Sequence, residues 1–219
     1  MYTLNAQRMP ASMMKKVVVT ALVAATVVAT AGTAHAESFF VTGAGALSAP
    51  THLDFTIVVP KILFLQVGTG PVAPALTANG AINLLTFTVP AANVGDSSVI
   101  SSTGGDLSSG AAVTARVVAN SGTVTVTTTT PNMLKDAGTD TISYSQIGLA
   151  VAVLTSGTAF TPPALSDGAV TSTTIAPLLN VVNQDAKWTF TYKNQNVVAA
   201  GTYGTSANQG RVLYTASIL

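Results

Sequence analysis

Hydrophobic and polar positions alternate through much of this chain, and the stretch Leu53–Gly68, LDFTIVVPKILFLQVG, shows the pattern best. Leu53, Phe55, Ile57 and Val59 share one parity, while Asp54, Thr56 and Val58 share the other. A period of two puts each set on one face of an extended strand. Pro60 has no N–H to give to a ladder and interrupts the run before Lys61. Beyond it, Leu63, Leu65 and Val67 face one way and Ile62 and Phe64 the other, so the second half is apolar on both faces. The stretch predicts two short strands joined by a kink at Pro60, as where a strand leaves one sheet of a sandwich for the other. A membrane helix would need about 20 apolar residues without the Asp, Pro, Lys and Gln found here. A core helix is disfavoured by the central proline and the β-branched content. A strand apolar on both faces needs a cover on both, from its own domain or from another chain.

The same parity predicts further strands. Ile82–Val89 puts Leu85, Phe87 and Val89 on one face before Pro90 ends it. Residues 91–110 read mostly as loop, with a short edge strand at Val99–Ile100. Val113–Asn120 turns Val113, Ala115 and Val117 inward and Thr114, Arg116 and Asn120 outward. Asn120-Ser121-Gly122 reads as a hairpin turn leading to Thr123–Thr130, with Val124 and Val126 inward. Thr141–Val153 changes parity at Ser145-Gln146, which predicts a bulge or bend. Val170–Thr174 forms a short strand. Lys187–Tyr192 places Trp188, Phe190 and Tyr192 inward, and Arg211–Ile218 aligns Val212, Tyr214, Ala216 and Ile218. Tyr203, in AAGTYG, is a candidate tyrosine corner. These elements define an all-β chain, an antiparallel Ig-like β-sandwich of about eight to ten short strands.

The N-terminus follows a different rule. Lys15 and Lys16, an apolar run from Val17 to Ala31 and then Ala34-His35-Ala36 form a signal peptide, with cleavage expected after Ala36 and a start at Met1, Met13 or Met14. The expected organisation is a signal peptide at 1–36, a flexible arm at 37–50 opening on Phe39 and Phe40, and one sandwich domain at 51–219. Removing the leader changes the charge. Six basic residues then face eight acidic ones, a net charge of −2 where the precursor has +1. No run of Lys or Arg exists, so nucleic acid has no electrostatic footprint to meet. Cleavage also leaves no stable membrane span, and strands this short fall below the ~9–11 residues of a transmembrane barrel strand. The chain has no cysteine, so thiol chemistry, thiolate metal sites and disulfide scaffolds are excluded.

The leader, the LDFTIVVPKILFLQVG entry, the VTARVVANSGTVTVT segment and the WTFTYKNQNVVAAGTYG…GRVLYTAS ending together resemble exported Ig-like, fimbrial-type sandwich proteins of Gram-negative bacteria. The resemblance implies a surface or fibre role. The chain departs from a typical pilin in lacking a disulfide and in having Ile218, not a tyrosine, as its penultimate residue. Such subunits also have a glycine near the start of the last strand, for which Gly204 and Gly210 are only loose candidates.

Candidate chemistry is sparse. After the leader, His52 is the one histidine, and no G-x-S-x-G elbow occurs. The carboxylates are aspartates, mostly in glycine-rich loops, apart from Glu37. Asp136 and Asp140, in DAGTD, are the calcium candidates, though Asp and Gly are also what a turn requires. The expected protein is therefore not an enzyme and carries no cofactor. It is an exported structural or adhesive surface protein of the periplasm, cell surface or exterior, a fibre or matrix subunit that assembles by strand addition. Its partners would be other copies of itself or other surface proteins, and Phe39, Phe40, Ile62 and Phe64 are the expected contacts. The alternative is a secreted carbohydrate- or ligand-binding sandwich whose loops 91–110 and 131–140 form the site, with calcium as a candidate ligand.

Overall fold

The structure, a computed structural model, describes residues 38–70, 75–107 and 111–218. The signal peptide and its cleavage site lie outside the described residues. The chain divides into two units at Val58/Val59. The described part of the first, residues 38–58, contains no strand, and nearly every side chain in it is exposed. The second holds all eleven strands found among the described residues.

One sheet is built on the long strand β10 (Val182–Tyr192). One edge of β10 pairs antiparallel with β4 (Ala112–Ala119) and then with β3 (Ile100–Gly104), and the other edge pairs with β8 (Ile147–Val153). β1 (Leu63–Val67) adds to the far side of β4, and β2 (Leu85–Phe87) adds to β3. A second sheet places β5 (Val124–Thr129) between β11 (Leu213–Ile218) and β9 (Val170–Ile175). β6 (Leu134–Lys135) and β7 (Thr141–Ile142) form a small ribbon apart from both. The chain is thus an all-β, antiparallel sandwich.

The core follows the alternation. Val113, Ala115, Val117 and Ala119 of β4 and Val182, Ala186, Trp188 and Phe190 of β10 meet Val124 and Val126 of β5. Trp188 is fully buried. Its ring meets Phe160 edge-on at 5.1 Å and Tyr214 of β11 at 5.5 Å, which joins the two sheets. Aromatic pairs in these orientations add to the burial of their area.

Four expectations need correction. Val113–Thr130 is not a hairpin, because β4 and β5 pair with different strands in facing sheets. Their valines meet across the core, and the turn through Gly122, at φ 84°, carries the chain from one sheet to the other. Leu53–Val59 forms no strand of the sandwich: no ladder partner is present among the described residues, and Phe55 and Ile57 are 84% and 86% exposed. The short edge strand expected at Val99–Ile100 is neither short nor at an edge: polar Ser101, Ser102 and Thr103 extend it to five residues, and it lies between β10 and β2. Finally, Thr114 and Arg116 face away from the core but are buried. β4 is flanked on both sides, with Gln66 and Asp185 in register beside Arg116.

Other expectations hold. The parity change at Ser145-Gln146 is a single 3-10 turn at Tyr144–Gln146 that ends one strand and begins another. Tyr203 donates to Ala199 O at 2.8 Å, a local bond like that of a tyrosine corner, but it lies in the loop before β11 and not at a strand start. Gly204 and Gly210 answer to local packing rather than to the resemblance, since a Cβ on Gly210 would collide with Gly204 O.

Candidate functional site

Two features stand out, an exposed apolar segment and an incomplete flank of the sandwich. Leu53, Phe55, Ile57, Val58 and Val59 are all exposed, although their alternation is that of a half-buried strand. Each apolar side chain left in water forgoes the ~1.5–3 kcal/mol that burial would supply. Exposed backbone here also leaves N–H and C=O groups available for a ladder. Where this segment ends, the chain is held firmly. Asn120 Oδ1 accepts the Ile62 N–H at 2.8 Å, and Asn120 Nδ2 donates to Pro60 O at 2.7 Å. The side-chain amide stands in for one more peptide of β4, beyond the last backbone pair, Leu63 with Ala119.

The flank lies between β1 and β11, edge strands of the facing sheets. They run close together but share no ladder, and each has one unpaired edge among the described strands. Leu65 and Val67 of β1 and Tyr214, Ala216 and Ile218 of β11 pack on the core but stay part-exposed, and Leu63 is 40% exposed. Between β8 and β9, by contrast, the connecting loop supplies Phe160 to the core, and Phe160 O accepts from Trp188 Nε1 at 3.1 Å. That loop is anchored at its start by Asp185, whose carboxylate accepts from the N–H groups of Thr155 and Ser156 and from the Thr155 hydroxyl. Burial opposes the charge on Asp185, but these bonds prevail and hold its pKa below the usual value.

The other interaction candidates fall in different places. Phe39 and Phe40 are exposed and outside any strand. Phe64 is half-buried on the outer face of the first sheet, opposite Val118, and Ile62 is half-buried at the Asn120 clamp.

The candidate chemistry resolves into turn geometry. Asp136 Oδ1 accepts from Gly138 N at 2.8 Å and Asp140 N at 3.1 Å, so this carboxylate closes its own loop. Among the described residues no three His, Cys, Asp or Glu gather as a metal site. His52 is exposed. An open depression of about 430 Å³ is lined by Asn132, Met133, Thr141, Asp167 and Gln209. Asp167 there accepts from Ser143 Oγ at 2.6 Å and Tyr144 N at 2.7 Å. Tyr144 donates its hydroxyl to Gln209 O at 2.6 Å, and burial, with the Asp167 charge adding, pushes its pKa up to about 12. No helix among the described residues is long and apolar enough to cross a membrane.

In the sequence the polar clamp residue Asn120 reads as an outward strand end and as part of a turn. Its signal is weak, because an Asn after a strand looks the same whether it turns the chain or bonds a neighbour. No family model matches this sequence, and no curated protein or solved structure matches it.

Proposed function

We propose that this chain is an exported structural or adhesive subunit of the cell surface, which joins its neighbours by strand addition. One observation carries the reading: Leu53–Val59 has the alternation of a sandwich strand, but its apolar side chains are exposed and it has no ladder partner among the described residues. The flank between β1 and β11 of a second copy is the acceptor this reading favours. Seven residues at ~3.3 Å each span about 23 Å, a fair match to the six of β11. Added there, Leu53, Phe55, Ile57 and Val59 would cover part-exposed core residues while the backbone bonds to two open edges. The arm from residue 37, with Phe39 and Phe40, would extend the same contact.

The test is the size of Glu37–Leu219 by light scattering, with negative-stain microscopy of the same sample. Fibres or large oligomers that disappear in a Phe55→Ser/Ile57→Ser variant support the reading, whereas a monomer at every concentration rejects it. The second reading, a ligand-binding module, is favoured by the depression beside Asn132 and Met133, which belong to the loop 131–140.

A further inference from the structure

The turn between β9 and β10 carries the chain from the second sheet to the first, and it is built from the wrong residues for its shape. Leu178 and Val181 exchange two backbone bonds of 2.9 Å around a two-residue turn. Its central residues, Leu179 and Asn180, have φ of 51° and 62°. Such turns favour Asn-Gly, and leucine is disfavoured in the left-handed region because its Cβ crowds the backbone. Nothing within the described chain offsets that strain, since Leu178 is 80% and Leu179 90% exposed. Strained backbone combined with exposed apolar side chains marks a contact surface.

We infer that this tip, Leu178–Val181, is a second contact between successive copies of the chain, made beside the point where the added strand enters its neighbour. The inference rests on the strand-addition reading. Its own support is position. Val182 and Leu63 flank Ala119 in register, so the tip lies at the same end of the first sheet as the Asn120 clamp. The separation is two strand spacings, roughly 10 Å. A neighbour that takes Leu53–Val59 meets its limit at Pro60, which lacks an N–H and whose carbonyl Asn120 holds. That neighbour's surface then abuts this end, where Val59, Leu63, Leu178, Leu179 and Val181 are all exposed. A lipid surface fits less well, because residues 176–184 contain no Lys or Arg to meet acidic headgroups.

The experiment uses the whole mature chain with Leu178→Ser/Leu179→Gly, with Leu179→Asn as a milder second variant, since asparagine tolerates this backbone. Asn180→Gly is the control that alters the turn and keeps both leucines. The leucine variants are expected to leave the monomer's melting temperature unchanged or raise it by about 2–4 °C. They are expected to slow assembly at least tenfold, while Asn180→Gly assembles like the wild type. Leucine variants that assemble normally overturn the inference and leave strand addition standing. Normal assembly by Phe55→Ser/Ile57→Ser removes strand addition, and with it the tip's place beside an inserted strand. A wild type that never assembles rejects both.

Discussion

The side-chain amide of Asn120 grips Ile62 through its N–H, at 2.8 Å, and by the same group reaches back across Lys61 to Pro60 O, at 2.7 Å. This one residue fixes where the sandwich begins. Asn120→Ala removes both bonds and should cost about 1–3 kcal/mol in urea unfolding, at ~0.5–1.5 kcal/mol per bond. Asn120→Asp keeps the acceptor for Ile62 but loses the donor to Pro60. It should fall between Ala and the wild type; an Asp variant as weak as Ala would mean that the bond from Ile62 contributes nothing.

Trp188 joins the sheets through two ring contacts and one hydrogen bond to Phe160 O. Trp188→Phe keeps most of the apolar area but leaves the carbonyl unpaired. A loss of about 1–3 kcal/mol is expected. Trp188→Ala should cost about 3–5 kcal/mol or prevent folding. Denaturant midpoints and near-ultraviolet circular dichroism check both.

Tyr144 gives an alkaline limit. Its folded pKa is raised from about 10 to about 12, so the neutral phenol is the form the fold favours. Its contribution is fully present below the unfolded pKa and is lost as pH rises from about 10 towards 12. Tyr144→Phe should flatten that part of the stability curve, at the expense of the bond to Gln209 O. An unchanged alkaline limb would remove Tyr144 from this role.

Asp185 gives the acid limit by the opposite sign. Its folded pKa lies below the usual value, so its contribution is present above the unfolded pKa, near 4, and is lost as pH falls below it. Asp185→Asn should weaken the domain at pH 7 by about 1.5–3 kcal/mol, the range for bonds to a charged group. It should also make stability less steep below pH 4. Urea midpoints from pH 3 to 7 test this.

Asp136 should behave as a turn residue. Asp136→Ala removes the acceptor that closes residues 136–140 and should lower stability by about 1 kcal/mol. Melting in calcium and in chelator should coincide for the wild type. A calcium-dependent rise that Asp136→Ala abolishes would instead establish a metal site.

Much of this protein was legible in its residues. Period-two alternation named the inward faces of β4, β5, β10 and β11, because one buried face leaves a strand a single acceptable register. The slip at Ser145-Gln146 could be read because it depends on nearby residues. What parity alone does not carry is the partner. Val113–Val117 and Val124–Val126 look like a hairpin, and only the packing shows that they face one another across the core. Leu53–Val59 and Leu63–Val67 have equally good strand patterns, but only the second has a ladder. Strand pairing and burial are long-range relations, set by which surfaces meet once the chain has folded. Alternation states that a face must be covered, and tertiary structure decides what covers it.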